Sequence, residues 1–150
     1  MRRIMDIITD ARRFMYAAGN TSQWSGEYPD SRRIAADIAA GYSYVAINDG
    51  VTAATFCLMP SPEPNYASIK GEWLSDEPYH VIHRMACAVR GQGVASACME
   101  WCLTQAPHLR ADTHRDNTPM RNLLLKYGFK ECGIVHVEDG TERIAYEHHA

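Results

Sequence analysis

Six consecutive residues, Arg90-Gly91-Gln92-Gly93-Val94-Ala95, restrict the folds open to this chain more than any other segment. They separate an apolar, strand-like run from about His80 to Val89 from an apolar helix that passes through Trp101 and Leu103 and is stopped by Pro107. A chain so arranged puts the first turn of a helix at the end of a sheet strand. A helix start has four N–H groups without intrahelical partners and about half a positive charge, so it receives phosphate readily. Gly91 and Gly93 let the backbone approach such a group, and Arg90 can add a bidentate charged contact. The same glycines also suit a plain tight turn, so the pair alone does not decide. Other phosphate motifs fit worse. Ser96 occupies the third glycine position of a dinucleotide fingerprint, and no Gly-Lys-Ser/Thr triplet exists for a nucleotide P-loop.

The chain has 150 residues, the length of one domain. Fifteen Lys and Arg against eighteen Asp and Glu leave a formal charge of −3, with no basic field to attract nucleic acid. No apolar run approaches the ~20 residues that span a bilayer. Asp6 and Asp10 interrupt the N-terminal apolar residues that could imitate a secretion signal, so the expected partners include no membrane and the expected compartment is cytoplasmic. Cys57, Cys87, Cys98, Cys102 and Cys132 are odd in number and form no Cys-x-x-Cys pair, which fits reduced core thiols.

Periodicity orders the remaining elements. Ile4, Ile7, Ile8, Ala11, Phe14 and Met15 form one helical stripe that Gly19-Asn20 stops. Asp30 or Ser31 caps a second helix carrying Ile34, Ala35, Ile38 and Ala39. Tyr42 to Ile47 and Val51 to Leu58 flank Asp49-Gly50 as an antiparallel hairpin. Pro60, Pro62 and Pro64 forbid regular structure, and Tyr66 to Leu74 offers a helical turn before the His80 strand. Leu109 to Thr113 is a short strand, and Thr118-Pro119 opens a helix with Met120, Leu123, Leu124 and Tyr127 on its apolar side and Gly128 at its end. Phe129 to Val137 and Thr141 to Tyr146 flank Asp139-Gly140 as a second hairpin. The expected order is ααβββαβαββ, an α/β domain with a mixed sheet.

The Arg90 to Ala95 run resembles the Arg/Gln-x-x-Gly-x-Gly/Ala signature of the GNAT acyltransferase superfamily, and Asp116-Asn117 through Lys126-Tyr127-Gly128-Phe129 resembles that family's second motif. The resemblance spans about residues 79 to 147 and implies a single GNAT-like domain over 1–150, with a mixed, mostly antiparallel sheet flanked by helices. It implies acetyl-CoA as cosubstrate, lying where the strand ending near Val89 splays from the one ending near Thr113, and no metal. Carried over by position, Met85, Ala86 and Cys87 pair with pantetheine through their main chain, Arg90, Gly91, Gln92, Gly93, Val94 and Ala95 hold the pyrophosphate, and Asn117 contacts the pantetheine arm. Cys87 can equally be a small buried hydrophobe, and Asn117 a helix cap. Three departures stand out. The family's first strand is missing or very short, the segment between Cys87 and Arg90 is about two residues shorter than usual, and Leu124 occupies the position of the tyrosine that often protonates the departing thiolate.

Direct transfer to an amine needs a base more than an acid, since an alkylamine resembles Lys with a pKa of about 10.4 and the thiol resembles Cys at about 8.5. His83 is a candidate, placed by period-2 alternation on the face of Met85 and Cys87. His114 is another, with Asp112 on its own face. Glu72 is a third, and Tyr127 or Tyr146 could serve as acid, though each also suits an ordinary structural role. The loop from Thr21 to Pro29 resembles the family's acceptor-side segment. Its Trp24, Glu27 and Tyr28 could form an aromatic and acidic wall for a cationic small-molecule amine. The rival readings are a non-catalytic acyl-CoA-binding module, a thiol hydrolase using Cys87 or Cys98, and a weak metal site at His80 and His83. A homodimer is left open.

Overall fold

The computed structural model describes residues 1–88 and 90–149. Helix α1 (Arg2–Ala17) buries Ile4, Ile7, Ile8 and Ala11, the stripe its sequence marks out. Helix α2 (Ser31–Ala39) starts at Asp30, whose carboxylate accepts the Arg33 N–H at 2.9 Å. The order continues as β1 (Ser43–Asn48), β2 (Val51–Pro60), a 3-10 turn at Pro64–Tyr66, β3 (Lys70–Gly71), β4 (His80–Cys87), α3 (Val94–Gln105), β5 (His108–Thr113), α4 (Thr118–Lys126), β6 (Lys130–His136) and β7 (Glu142–His149). Among the described residues no strand precedes α1, as expected.

All seven strands join one sheet in the order β1-β2-β4-β5-β7-β6-β3. Every neighbouring pair is antiparallel except β4 with β5. That parallel pairing holds only at His80 with Leu109 and Val81 with Arg110, although both strands run further, so a gap opens between them toward Cys87 and Thr113. Helices α3 and α4 cover one face, where Met99, Cys102, Leu124 and Phe129 meet Phe56, Ile82 and Tyr146. On the opposite face Ile7, Ile8, Trp24 and Ile34 pack against Ala86.

Several expectations are corrected. The Tyr66 to Leu74 stretch is a 3-10 turn that begins earlier, at Pro64, followed by the two-residue strand β3. That strand fits against β6 because Gly133 lacks a side chain, since a Cβ there would lie 2.2 Å from the Lys70 carbonyl oxygen. Pro60 does not break structure. It ends β2, paired with His80, where a missing donor is tolerated. Asn117 rather than Thr118 caps α4, its amide oxygen accepting the Met120 N–H at 3.3 Å. Strand β4 ends at Cys87, and Val89 lies outside the described residues.

The largest correction concerns His83. The β2–β4 register runs from Cys57 opposite His83 to Thr55 opposite Ala86, so Phe56 alone faces both Arg84 and Met85. Arg84 adopts a positive φ of 53°, and the extra residue forms a β-bulge that resets the alternation of side chains. Met85 and Cys87 join the core beneath α3, whereas His83 lies beside Tyr66, with ring centroids 6.4 Å apart. His83 therefore does not share their face.

Candidate active site

Two cavities flank the end of β4. The first, of about 340 Å³, lies where the β4–β5 gap meets the starts of α3 and α4, with Met15, Asn20, Cys87, Gly91 and Ala95 among its lining residues. Helix α3 opens at Gly93 (φ 75°) with no side-chain cap hydrogen bond, so among the described residues no side chain caps its first turn. Gly91 has φ 76°, and a Cβ at either glycine would meet only open space, so here glycine serves backbone conformation and ligand approach rather than packing. Arg90 stands over the Phe14 ring, its guanidinium carbon 3.7 Å from the centroid, which holds the cation at the rim. Met85, Ala86, Arg90, Gly93 and Val94 also border this cavity, whereas Gln92 is exposed and lies outside its lining.

The second cavity, of about 400 Å³, lies on the other side of Met85 and shares Met15, Met85, Asn117 and Met120 with the first. Trp24 and Tyr28 line it, as the loop reading expects. Glu27 does not, and its carbonyl instead accepts an Arg12 N–H at 3.1 Å. Tyr28 is held by Arg84, which donates to its hydroxyl at 3.3 Å and clamps Asp37 through bonds of 2.8 and 2.9 Å.

His83 reaches this cavity through a route its predicted face did not contain. Its Nε2 is 3.1 Å from Glu63 Oε2, and Glu63 also accepts the Asn65 N–H. Burial raises the Glu63 pKa, but the bond and charge of His83, the Asn65 N–H and the Arg84 charge together outweigh burial, so the carboxyl titrates below its ordinary value. An ionised Glu63 needs a proton on Nε2, which leaves Nδ1 as the basic nitrogen. Asp112 lines the same cavity and accepts the Tyr66 hydroxyl at 2.6 Å.

The other candidates lie elsewhere. His114 borders neither cavity. Its Nδ1 accepts the Asp116 N–H at 3.1 Å, which closes the turn before α4. Burial is the main reason its pKa falls below the ordinary histidine value, with Asp116 opposing and Arg143 assisting. A histidine kept neutral by folding stabilises the fold above its unfolded pKa of ~6.5, and that stability is lost as pH falls through the lowered folded value. The urea midpoint should therefore drop between pH 7 and 5. The drop should be smaller in His114→Asn, whose side-chain oxygen can accept the same N–H, and equal slopes would dismiss the assignment. Tyr127 donates to Glu100 at 2.9 Å, outside both cavities, and Tyr146 is held between Arg121 and Glu131. Glu72 is exposed and lines neither cavity. Burial raises the pKa of Cys87, with Arg90 opposing, and pushes Cys98 up to about 11, the reverse of what a nucleophilic thiol needs.

Gln23 has no motif around it, yet it organises the junction. Its amide oxygen receives Asn20, Thr113, the His114 backbone N–H and Asn117 at 3.0 to 3.2 Å. Asn117 thus spends its oxygen on the α4 cap and an N–H on Gln23, while still bordering both cavities.

A helix start without a side-chain cap at a splayed pair of strands, joined to a separate polar cavity, offers two adjoining sites of the kind that could hold two reactants. The family model described as acetyltransferase (GNAT) family matches residues 3–129. A GNAT-family acetyltransferase from Streptococcus agalactiae superposes with a TM-score of 0.92 at 34% identity, covering 99% of this chain and 89% of that one. A GNAT-family acetyltransferase from Listeria monocytogenes gives 0.68 at 20% identity, over 95% of this chain and 84% of that one. The structure of a NatC complex bound to Gag peptide and CoA gives 0.65 at 12% identity, over 100% and 92%, a likeness of fold alone. The search of curated proteins found no match. The chain belongs to the GNAT acetyltransferase family. Among its described residues no helix is long and apolar enough to cross a membrane.

Proposed function

We propose that the protein transfers an acetyl group from acetyl-CoA directly to the nitrogen of a small-molecule amine. The observation that carries this reading is the junction itself: a cleft at the capless start of α3 meets a carboxylate-lined cavity at Met85, beside the His83–Glu63 pair. Acetyl-CoA would supply the acetyl group as a thioester. The Gly91 to Ala95 turn and Arg90 would receive its pyrophosphate, and the main chain of Met85 to Cys87, on the side where β4 leaves β5, would align the pantetheine arm. His83 Nδ1 would take the proton from the acceptor nitrogen while Glu63 holds the opposite edge of the ring and stabilises the imidazolium. Attack on the carbonyl then needs one β4 N–H for the oxyanion, and the thiolate leaves with the electron pair of the broken C–S bond. Leu124, fully buried in the core, supplies no proton at the position where the family often has a tyrosine. The low basicity of a thiolate makes that proton dispensable.

Calorimetric titration with acetyl-CoA, followed by a free-thiol release assay over a panel of small amines, tests the reading. Saturable binding with amine-dependent thiol release is expected, whereas binding without release on any amine would identify a non-catalytic module. Arg90→Ala should weaken acetyl-CoA binding by about 1.5–3 kcal/mol, roughly 10- to 150-fold in Kd, if the guanidinium bonds phosphate. An unchanged Kd would remove Arg90 from the phosphate site.

A further inference from the structure

Among the described residues Arg110 and Arg143 are buried and the Arg84 side chain is 7% exposed, and two of these three are neutralised. Arg84 grips both oxygens of Asp37 at 2.8 and 2.9 Å, and Arg110 meets Glu147 at 2.9 Å. The third, Arg143, is only 5% exposed and lines the 400 Å³ cavity, yet it bonds neutral oxygens alone. Its Nη1 donates to Thr141 Oγ1 at 2.8 Å and to the Glu142 carbonyl at 3.0 Å, and its Nη2 donates to the Gln23 carbonyl at 3.0 Å. Among the described residues it forms no ion pair. Asp139 feels its charge, but that carboxylate is folded back onto Thr141, accepting the N–H at 2.9 Å and the hydroxyl at 2.6 Å. Among the described residues the Arg143 Nε has no protein hydrogen bond, and it is not sealed from solvent, while the residue itself lines the cavity.

A buried, unneutralised guanidinium is costly, and its planar N–H fork matches a carboxylate. Negative charge borders the same cavity at Glu63, Asp112, Asp139 and Glu138, the last paired with Arg33, with Trp24, Met59 and Met85 among the apolar lining residues. We infer that the acceptor is an amine that also carries a carboxylate, an amino acid or close relative, with Arg143 receiving the carboxylate while the amine turns toward His83 and Glu63. This inference rests on the acetyl-transfer reading above and narrows its acceptor.

The test compares matched pairs with acetyl-CoA in the thiol-release assay: L-lysine with cadaverine, L-ornithine with putrescine, L-phenylalanine with phenethylamine, and γ-aminobutyrate with propylamine. At least one carboxylated member should exceed its partner in kcat/KM by 10-fold or more. Arg143→Gln should compress that ratio toward one, chiefly through KM, and Arg143→Lys should keep part of it. The ratio is internal to each protein, so partial unfolding of a variant does not imitate the effect. Pairs used equally, preference for the decarboxylated members, or a ratio untouched by Arg143→Gln would overturn the inference while leaving acetyl transfer intact. Failure to bind acetyl-CoA at all would sink the underlying reading, and the acceptor assignment with it.

Discussion

Asp37→Asn should destabilise the protein by about 3–5 kcal/mol, the loss expected when one partner of a buried ion pair is removed and the other stays charged. Asp37 is 3% exposed, and its oxygens receive both the Arg84 guanidinium and the Cys57 thiol, the latter at 3.1 Å. Burial, partly opposed by Arg84, pushes the Cys57 thiol up to about 12, so it remains a neutral donor that cannot replace the lost carboxylate. The substitution is nearly isosteric, which confines the effect to charge. The damage should also reach function on the proposed reading, because Arg84 is the bulge residue and holds Tyr28 at the cavity proposed to take the acceptor. Urea unfolding measures the first effect, and a loss under about 1 kcal/mol would mean that water reaches Arg84 and solvates it. Replacing both partners, Asp37→Leu with Arg84→Met, should recover much of the stability without recovering turnover, since an apolar pair packs well but does not hold Tyr28.

His83→Ala should lower kcat by about 10²- to 10⁴-fold, the usual contribution of a positioned general base, with acetyl-CoA affinity little changed. The geometry behind this is the single engaged nitrogen: Nε2 is committed to Glu63, leaving Nδ1 as the basic atom. Glu63→Gln should give a smaller loss, because an amide can still orient the ring but does not stabilise the imidazolium. Glu63 titrates below its ordinary value, so it is ionised near neutral pH and can hold the ring through Nε2. A variant with wild-type kcat and the same pH profile would transfer the proton-accepting role to another group, with Asp112 next in line on the same cavity.

Local chemistry made the order of helices and most strands readable, because period, caps and Asp-Gly turns act within a few residues. The Asp49-Gly50 hairpin shows this well: φ values of 51° and 77° at its two central residues are those the pair tolerates. The glycine turn before α3 was equally legible, since glycine spacing and a following helix need no distant partner. The face assignment of His83 was not. Period-2 alternation assumes an unbroken strand, and the bulge at Arg84 is held by Asp37, nearly fifty residues away in sequence and on another element. Glu63 as the partner of His83, and Gln23 as the anchor of the 113–117 turn, carry no local signal either. A glutamate after prolines and a lone glutamine in a loop look like solvated residues until the chain closes over them.

What the sequence determined by itself is the α/β architecture, the family, and the glycine turn that opens α3, all consequences of short-range periodicity and backbone freedom. What only the tertiary structure decided is which polar groups share the cavity beside Met85 and which charges inside it are paired. Pairing depends on distances between residues far apart in the chain, and a buried charge acquires its meaning from whether folding brings it a partner.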